Sequence, residues 1–167
     1  MEEYTPEDYK FPIAYVEGLE SDEYLVPDLD RGKYRIVKAP VEGGLGKAVY
    51  ERVPELAVDL EAAKTRRGVA VRVPWKGDRA MYLASGSPIH IYEVGGVQTI
   101  FYSHEGDDLE EGDVLAYVLT GKGETRTIRV DRKGTVFYIG WLPGSHPPRY
   151  IVILAGEENL IILDPEQ

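Results

Sequence analysis

The sequence predicts a mainly β protein with one helix, and two observations carry that prediction. From Val69 onward, short segments rich in β-branched and aromatic residues follow one another, separated by Gly, Pro, Asp and Ser at short, regular spacing. This pattern is typical of an all-β sandwich or barrel and not of alternating strands and helices. One stretch with helical periodicity precedes these segments. The strand-like segments from Val69 onward are VAVRVPW, MYLA, PIHIYEV, QTIFYSH, VLAYVLT, TRTIRVD, TVFYIGW and RYIVILA.

Residues 1–68 are expected to form an α+β region ahead of these strands. Within it, FPIAYVEG and EYLVPDLD predict short strands, broken by Pro27 and by a cluster of Asp residues. KYRIVKAP predicts another strand that stops at Pro40. VEGGLGKAVYERV predicts a glycine-rich turn leading into a strand.

The segment PELAVDLEAAKTRRG predicts a helix over residues 54–68 that packs on a sheet. Pro54 suits the first helical position, because the N–H that proline lacks would have no partner there. Glu55 in the first turn and basic residues in the last turn suit the helix dipole. Gly68 predicts the C-terminal stop. Three apolar residues recur at helical spacing and form a narrow face: Leu56, Leu60 and Ala63.

The charge and the apolar pattern exclude several classes of partner. The 167 residues include 29 acidic and 19 basic ones, for a net charge of −10, so we expect no nucleic-acid partner. There is no long apolar run, so we expect no membrane span. The acidic N-terminus, MEEYTPEDYK, has the pattern of neither a signal peptide nor a transit peptide. Together with the absence of cysteine, this predicts a cytoplasmic protein.

Residues 104–139 contain the pattern HEGDDLEEGDVLAYVLTGKGETRTIRVDRKGTVFYI. This segment resembles the core of the biotinyl/lipoyl carrier domains. In those domains a glycine-rich turn, a Gly-Asp pair, a strand, a hairpin with the modified lysine and a closing glycine follow in that order. Gly106 matches the first turn, Gly112 and Asp113 match the pair, and Gly134 matches the closing glycine.

Two strings, GDVLAYVLTGKGETRTIR and GTVFYIGWLPGSHPPRYIVI, resemble more closely a small archaeal family of unassigned function with the same core. That resemblance covers residues 70–155 well and the N-terminal part more loosely. It implies a barrel-sandwich hybrid of the biotinyl/lipoyl type over residues 69–167, preceded by the α+β region. It implies no chemistry, because a fold alone does not determine function.

Lys122 lies at the position of the modified lysine in the carrier resemblance. Thr120-Gly-Lys-Gly is a tight hairpin turn whose glycines can adopt positive φ. A carrier lysine needs such a turn, since a modifying enzyme and a distant active site must both reach it. Biotinylated domains have Met on both sides of the lysine, and lipoylated domains have Asp before it and usually Ala after it. In this chain Gly121 and Gly123 flank Lys122.

The first functional hypothesis is a non-catalytic binding or scaffold module. It would engage a protein partner or a small ligand through the Lys122 hairpin or through the proline-rich loop WLPGSHPPRY. The alternative is a carrier protein with biotin or lipoate attached to Lys122. No nucleophile–base pair or nicotinamide fingerprint predicts catalytic residues.

A metal-dependent hydrolase is the second alternative, because QTIFYSHEGDDLEEGDVLA also resembles zinc peptidases of a related barrel fold. Those enzymes need a His-x-His pair with an upstream His and Asp to hold zinc and activate water. The histidines here, His90, His104 and His146, lie in separate segments and form no such pair. The sequence therefore predicts no metal site.

Two other motifs are expected to be turns. Residues 42–47, EGGLGK, resemble a phosphate-binding loop, but Ala48 supplies no hydroxyl for Mg²⁺ and Pro54 comes too soon for the required helix. The acidic run at 105–111 has no EF-hand spacing and predicts a solvated turn.

Overall fold

Strands dominate residues 11–142 and 144–166, the part of the chain that the computed structural model describes. The first elements are β1 (Ile13–Glu17), β2 (Tyr24–Asp28), β3 (Lys33–Val37), β4 (Leu45–Ala48), a 3-10 turn (Tyr50–Arg52), α1 (Val53–Ala57), β5 (Val58–Asp59), β6 (Lys64–Thr65), β7 (Val69–Val73) and β8 (Arg79–Leu83). The later strands are β9 (His90–Gly95), β10 (Gln98–Phe101), β11 (Asp108–Leu109), β12 (Val114–Leu119), β13 (Thr125–Arg129), β14 (Gly134–Trp141), β15 (Arg149–Ala155) and β16 (Ile161–Pro165). The predicted mainly β class is confirmed.

Seven strands close into a barrel in the order β1-β4-β2-β3-β16-β8-β7. Its neighbouring strands are antiparallel, except that β16 runs parallel to β3. The C-terminal strand therefore completes a barrel that the N-terminal strands begin. The predicted division between residues 1–68 and 69–167 crosses this barrel, because strands from both parts pair within it.

Packed side chains fill the barrel interior. Tyr15 and Tyr34 are almost fully buried there, among smaller apolar residues. At the barrel end, the Tyr15 hydroxyl donates to Glu23 Oε2 at 2.6 Å, and the Tyr34 hydroxyl donates to the Asp78 carbonyl oxygen at 2.5 Å. Arg72 binds the Asp78 carboxylate through two hydrogen bonds of 2.7 Å each. The lumen is thus a structural core closed by a polar network.

The remaining large strands form two further sheets, with orders β11-β14-β15-β9 and β10-β12-β13. The four-stranded sheet lies between the barrel and the three-stranded sheet. One of its faces packs on the outside of β1, β7 and β8, in a core that includes Val71, Tyr138 and Ile153. The other face packs on β12, in a core that includes Leu115 and Leu154. Strands β14 and β15 are therefore buried on both faces.

The predicted helix over residues 54–68 is wrong beyond its first turn. Helix α1 contains only Val53–Ala57, with Pro54 and Glu55 in its first turn as expected. After it, β5 and β6 form a small hairpin in which Val58 pairs with Thr65.

Local polar contacts explain why the hairpin forms in place of the helix. The Asp59 carboxylate accepts a hydrogen bond from the Ala62 N–H at 3.0 Å, and Ala63 adopts a left-handed φ of 51°. The Thr65 hydroxyl donates to the Ala84 carbonyl oxygen at 2.7 Å in a buried position. Asp and Thr side chains favour such turns over helix interiors, and tertiary contacts outweigh the helical spacing of the apolar residues.

Leu163 tests whether β16 completes the barrel. The Leu163→Ala variant removes a side chain that is 0% exposed, and we expect it to lower the free energy of unfolding by about 2–5 kcal/mol. The adjacent Ile162 is 44% exposed, so Ile162→Ala should change the free energy of unfolding by less than about 1 kcal/mol. Urea denaturation measures both, and equally small effects would contradict the position of Leu163 in the barrel core.

Candidate functional site

Lys122 lies at the tip of the hairpin that joins β12 to β13, and its side chain is exposed. The Thr120 N–H donates to the Glu124 carbonyl oxygen at 2.8 Å, and the Gly123 N–H donates to the Thr120 carbonyl oxygen at 3.0 Å. Gly123 adopts a φ of 79°, which allows the chain to reverse at no steric cost. Among the described residues, none forms an ion pair with the Lys122 ammonium.

The turn between β9 and β10 supports the base of this hairpin. The Val97 N–H donates to the Leu119 carbonyl oxygen at 2.8 Å. Gly96 allows this approach, since a Cβ there would lie 2.5 Å from Val118 Cγ1 and 2.7 Å from the Leu119 oxygen. Val97 remains 57% exposed, which places an apolar side chain beside the Lys122 hairpin.

The solvent-facing side of the three-stranded sheet carries exposed apolar and aromatic side chains. Ile100 on β10 pairs with Tyr117 on β12, which pairs with Thr127 on β13. Ile100 is 58% exposed, Tyr117 is 36% exposed and Tyr102 is 67% exposed. The Tyr102 and Tyr117 rings meet edge to face with their centroids 6.3 Å apart, a favourable arrangement for aromatic pairs. We call Ile100, Tyr102, Tyr117 and Thr127 the outer sheet face.

The hairpin beside the outer sheet face is positively charged, although the chain as a whole carries −10. The segment 114–129 contains three cationic residues, which are Lys122, Arg126 and Arg129. Glu124 is the one acidic residue in this segment, so its net charge is +2. An apolar face therefore adjoins a local cationic segment.

A second candidate site is a cavity of about 490 Å³ that contains a buried acid. The Tyr50 hydroxyl donates to Glu105 Oε2 at 2.7 Å, and only 8% of Glu105 is exposed. The rest of the lining consists of a second acid, Glu51, a histidine, His104, and mostly apolar side chains. The latter are Phe11, Pro12, Trp75 and Ile139.

The Tyr50 phenol is fixed as a hydrogen-bond donor. Burial raises the pKa of Tyr50 well above its usual value, and the Glu105 charge raises it further. Tyr138 supports the pair, because its hydroxyl donates to the Tyr50 carbonyl oxygen at 3.0 Å and the ring centroids lie 4.7 Å apart. The pKa of Tyr138 is also raised, by burial and then by the charges of Glu51 and Glu105.

The prediction of a solvated acidic turn is wrong for Glu105. Glu110 and Glu111 in the same run are exposed, as expected, but Glu105 turns inward to Tyr50. The partner lies 55 residues earlier in the chain, so no local pattern could have revealed the contact. The sequence contains both residues, but nothing in it indicates that they would meet.

A third cavity, of about 470 Å³, lies between the barrel and the four-stranded sheet. Its cationic residues already have acidic partners. Lys76 Nζ lies 3.2 Å from Asp107, and Arg79 Nε lies 3.0 Å from Asp164. An anionic ligand would have to displace these partners.

The proline-rich loop follows β14, where Trp141 is 46% exposed. Pro143 lies outside the described residues, and the peptide bond between His146 and Pro147 is cis. Trp141 and Leu60 line a groove of about 670 Å³ whose rim includes several acidic residues, which are Glu51, Glu55, Asp59 and Glu61.

The histidines occupy different parts of the molecule. His90 lies on β9, where its Nε2 is 3.0 Å from Arg132, and burial followed by the Arg132 charge lowers its pKa. His104 lines the Glu105 cavity, and His146 lies in the proline-rich loop. Across residues 11–142 and 144–166, no group of three His, Cys, Asp or Glu side chains is arranged to hold a metal ion.

The segment at 42–47 is a turn followed by strand β4, so the predicted β-turn is confirmed. The Gly44 N–H donates to the Val41 carbonyl oxygen at 3.1 Å, and Gly43 has a φ of 80°. Lys47 lies on β4 opposite Tyr15 and not in a phosphate-binding loop.

A family model described as an uncharacterized protein conserved in archaea (DUF2118) matches residues 9–157. This match spans most of the chain and includes the Lys122 hairpin, the outer sheet face and the Glu105 cavity. No curated protein matches the chain at a significant level. None of the described helices has the length and apolar character needed to cross a membrane.

The raised pKa of Tyr50 predicts a pH-dependent contribution to stability. The folded state keeps this phenol protonated, whereas the unfolded state loses the proton above about pH 10. The contribution is complete below that pH and is lost as the pH rises, by about 1.4 kcal/mol per pH unit. Tyr50→Phe should lower the free energy of unfolding near pH 7 by about 1–3 kcal/mol, because Glu105 loses a buried donor.

Urea denaturation of the wild type and of Tyr50→Phe between pH 7 and pH 11 measures this effect. The gap in stability between the two proteins should narrow as the pH exceeds about 10. A gap that stays constant across this range would show that Tyr50 ionises alike in both states.

Proposed function

The chain belongs to the archaeal family whose model it matches, and we propose that it is a non-catalytic module that binds a partner protein. The partner docks on the outer sheet face and on the Lys122 hairpin. The observation that carries this proposal is the exposure of Ile100, Tyr102 and Tyr117 together on one sheet surface. Tyrosines and large aliphatic side chains that cluster on a surface are typical of interface centres.

We also propose that the two smaller sheets form a barrel-sandwich hybrid of the biotinyl/lipoyl type. Two observations support it. The sheets enclose a shared core, and the hairpin with Lys122 joins two strands of one sheet. In this arrangement Lys122 corresponds to the lysine that carrier domains present to other proteins.

The size of the outer sheet face requires that the hairpin take part in binding. Three strands spaced about 4.8 Å apart give a face only about 10 Å wide, whereas a standard interface buries about 800 Å² on each side. Val97 and the Lys122 turn extend the apolar and cationic surface from the end of the sheet. The partner surface that fits is apolar at its centre with an acidic patch beside it.

A double variant and a matched control test the docking surface. Ile100→Thr combined with Tyr117→Thr places β-branched residues, which suit strands, at both positions and removes two of the three large exposed side chains of the outer sheet face. Immobilised protein is incubated with native archaeal extract, and retained proteins are identified and purified. We expect the double variant to weaken the dissociation constant of the true partner at least about tenfold, which corresponds to about 1.4 kcal/mol.

Ile162→Thr is the control, since Ile162 is also an exposed strand isoleucine but lies on the barrel. The affinity of this control for the partner should stay within about twofold of the wild-type value. Retained proteins that bind the double variant and the wild type equally would contradict docking on the outer sheet face.

The second candidate function is a covalent carrier. The exposed position of Lys122 at a hairpin tip, with no ion-pair partner in the described part of the chain, favours it. If it is correct, intact mass spectrometry of the protein from its natural cells shows a biotinyl or lipoyl adduct that Lys122→Arg abolishes. An unmodified mass, in cells whose other carrier proteins are fully modified, would exclude this function. The docking proposal does not depend on that outcome.

A further inference from the structure

Glu105 is a buried carboxylate without a cationic partner among the described residues. It is 8% exposed, and its described side-chain contact is the hydrogen bond from the Tyr50 hydroxyl at 2.7 Å. A buried ionised carboxylate is costly unless a positive charge compensates for it. Tyr50 supplies one hydrogen bond but no charge.

The second acid in the same cavity increases the need for a cation. Glu51 also lines the space, and its charge acts together with that of Glu105 on Tyr138. Two carboxylates around one cavity create a negative potential that excludes anions and concentrates cations.

The remaining lining indicates the body of the ligand. Ile139, Pro12 and Phe11 contribute apolar walls, and Trp75 adds an indole. A volume of about 490 Å³ falls within the range of small-molecule sites, which is about 300–1,000 Å³. The combination of mostly apolar walls with one fixed charged group is the usual arrangement by which such sites orient a ligand.

We propose that this cavity binds a small organic cation, an ammonium group on an apolar or aromatic body, with Glu105 as its counter-ion. The ammonium donates hydrogen bonds to the Glu105 carboxylate, and the Tyr50 hydroxyl holds that carboxylate in place. The apolar body lies against the walls that include Ile139. This site is separate from the outer sheet face and does not rest on the protein-docking proposal.

Three probes of similar shape and different charge test the site on the full chain. Phenethylammonium is the cation, phenethyl alcohol is its neutral analogue and hydrocinnamate is an anion. Calorimetric titration measures each at concentrations up to the millimolar range. We expect the ammonium to bind at least about tenfold more tightly than the alcohol, because a charge-assisted hydrogen bond replaces a neutral one. Hydrocinnamate should show no binding.

Glu105→Gln assigns the charge preference to one residue. Its amide oxygen still accepts from Tyr50, so the cavity keeps its shape while losing the charge. This variant should bind phenethylammonium at least about tenfold more weakly than the wild type does. Its affinity for phenethyl alcohol should stay within about twofold of the wild-type value. Glu111→Gln is the matched control, since it removes the same charge from an exposed position in the same acidic run, and it should change neither affinity.

The melting temperature of unliganded Glu105→Gln gives a further readout. It should equal or exceed that of the wild type, because the variant removes a buried charge that no cation among the described residues compensates. No binding of phenethylammonium to the wild type, or equal binding of the cation and the alcohol, would overturn the proposal whatever the behaviour of the variants. Retention of tight ammonium binding by Glu105→Gln would overturn the role of Glu105.

Discussion

The rest of the structure depends on the pair of strands β14 and β15, which is buried on both faces. Each strand alternates its side chains between two different cores, one shared with the barrel and one shared with the three-stranded sheet. The register between them shifts between Val136 and Tyr138, so Phe137 is an additional residue in β14. This bulge directs both Phe137 and Tyr138 into the core shared with the barrel. Few polar side chains fit such strands, which explains their nearly continuous apolar sequence.

Both candidate sites are attached to this central pair, on opposite faces. On the barrel side, Tyr138 donates a hydrogen bond to the backbone of Tyr50 and its ring contacts the Tyr50 ring at a tilt. Tyr50 in turn donates a hydrogen bond to Glu105. On the other side, the core anchors β12 through Ala116 and Val118, the two neighbours of Tyr117 along the strand. Because strand side chains alternate, that anchoring fixes Tyr117 outward, on the outer sheet face.

Sequence alone gives the strand segments and the hairpin with Lys122, since these depend on local alternation and on turn glycines. It does not give the end of α1, because the contacts of Asp59 and Thr65 outweigh the apolar spacing that predicts a longer helix. It also does not give the pairing of β16 with β3 or the contact between Tyr50 and Glu105. Those contacts join residues far apart in the chain, and only the closed barrel and the packed sheets bring them together.

The charge distribution separates the chemistry of the two sites. A net charge of −10 attracts cations to the molecule at long range, and the carboxylates of Glu51 and Glu105 extend that attraction into the cavity. At the hairpin the same field opposes an acidic partner until it comes within about one Debye length, roughly 8 Å at physiological salt. Inside that distance, a partner docked as proposed would meet Lys122 and Arg126 of the adjoining hairpin. Long-range charge therefore favours the proposed entry of small cations into the cavity, whereas the proposed docking on the outer sheet face would depend on short-range apolar contact and local charge.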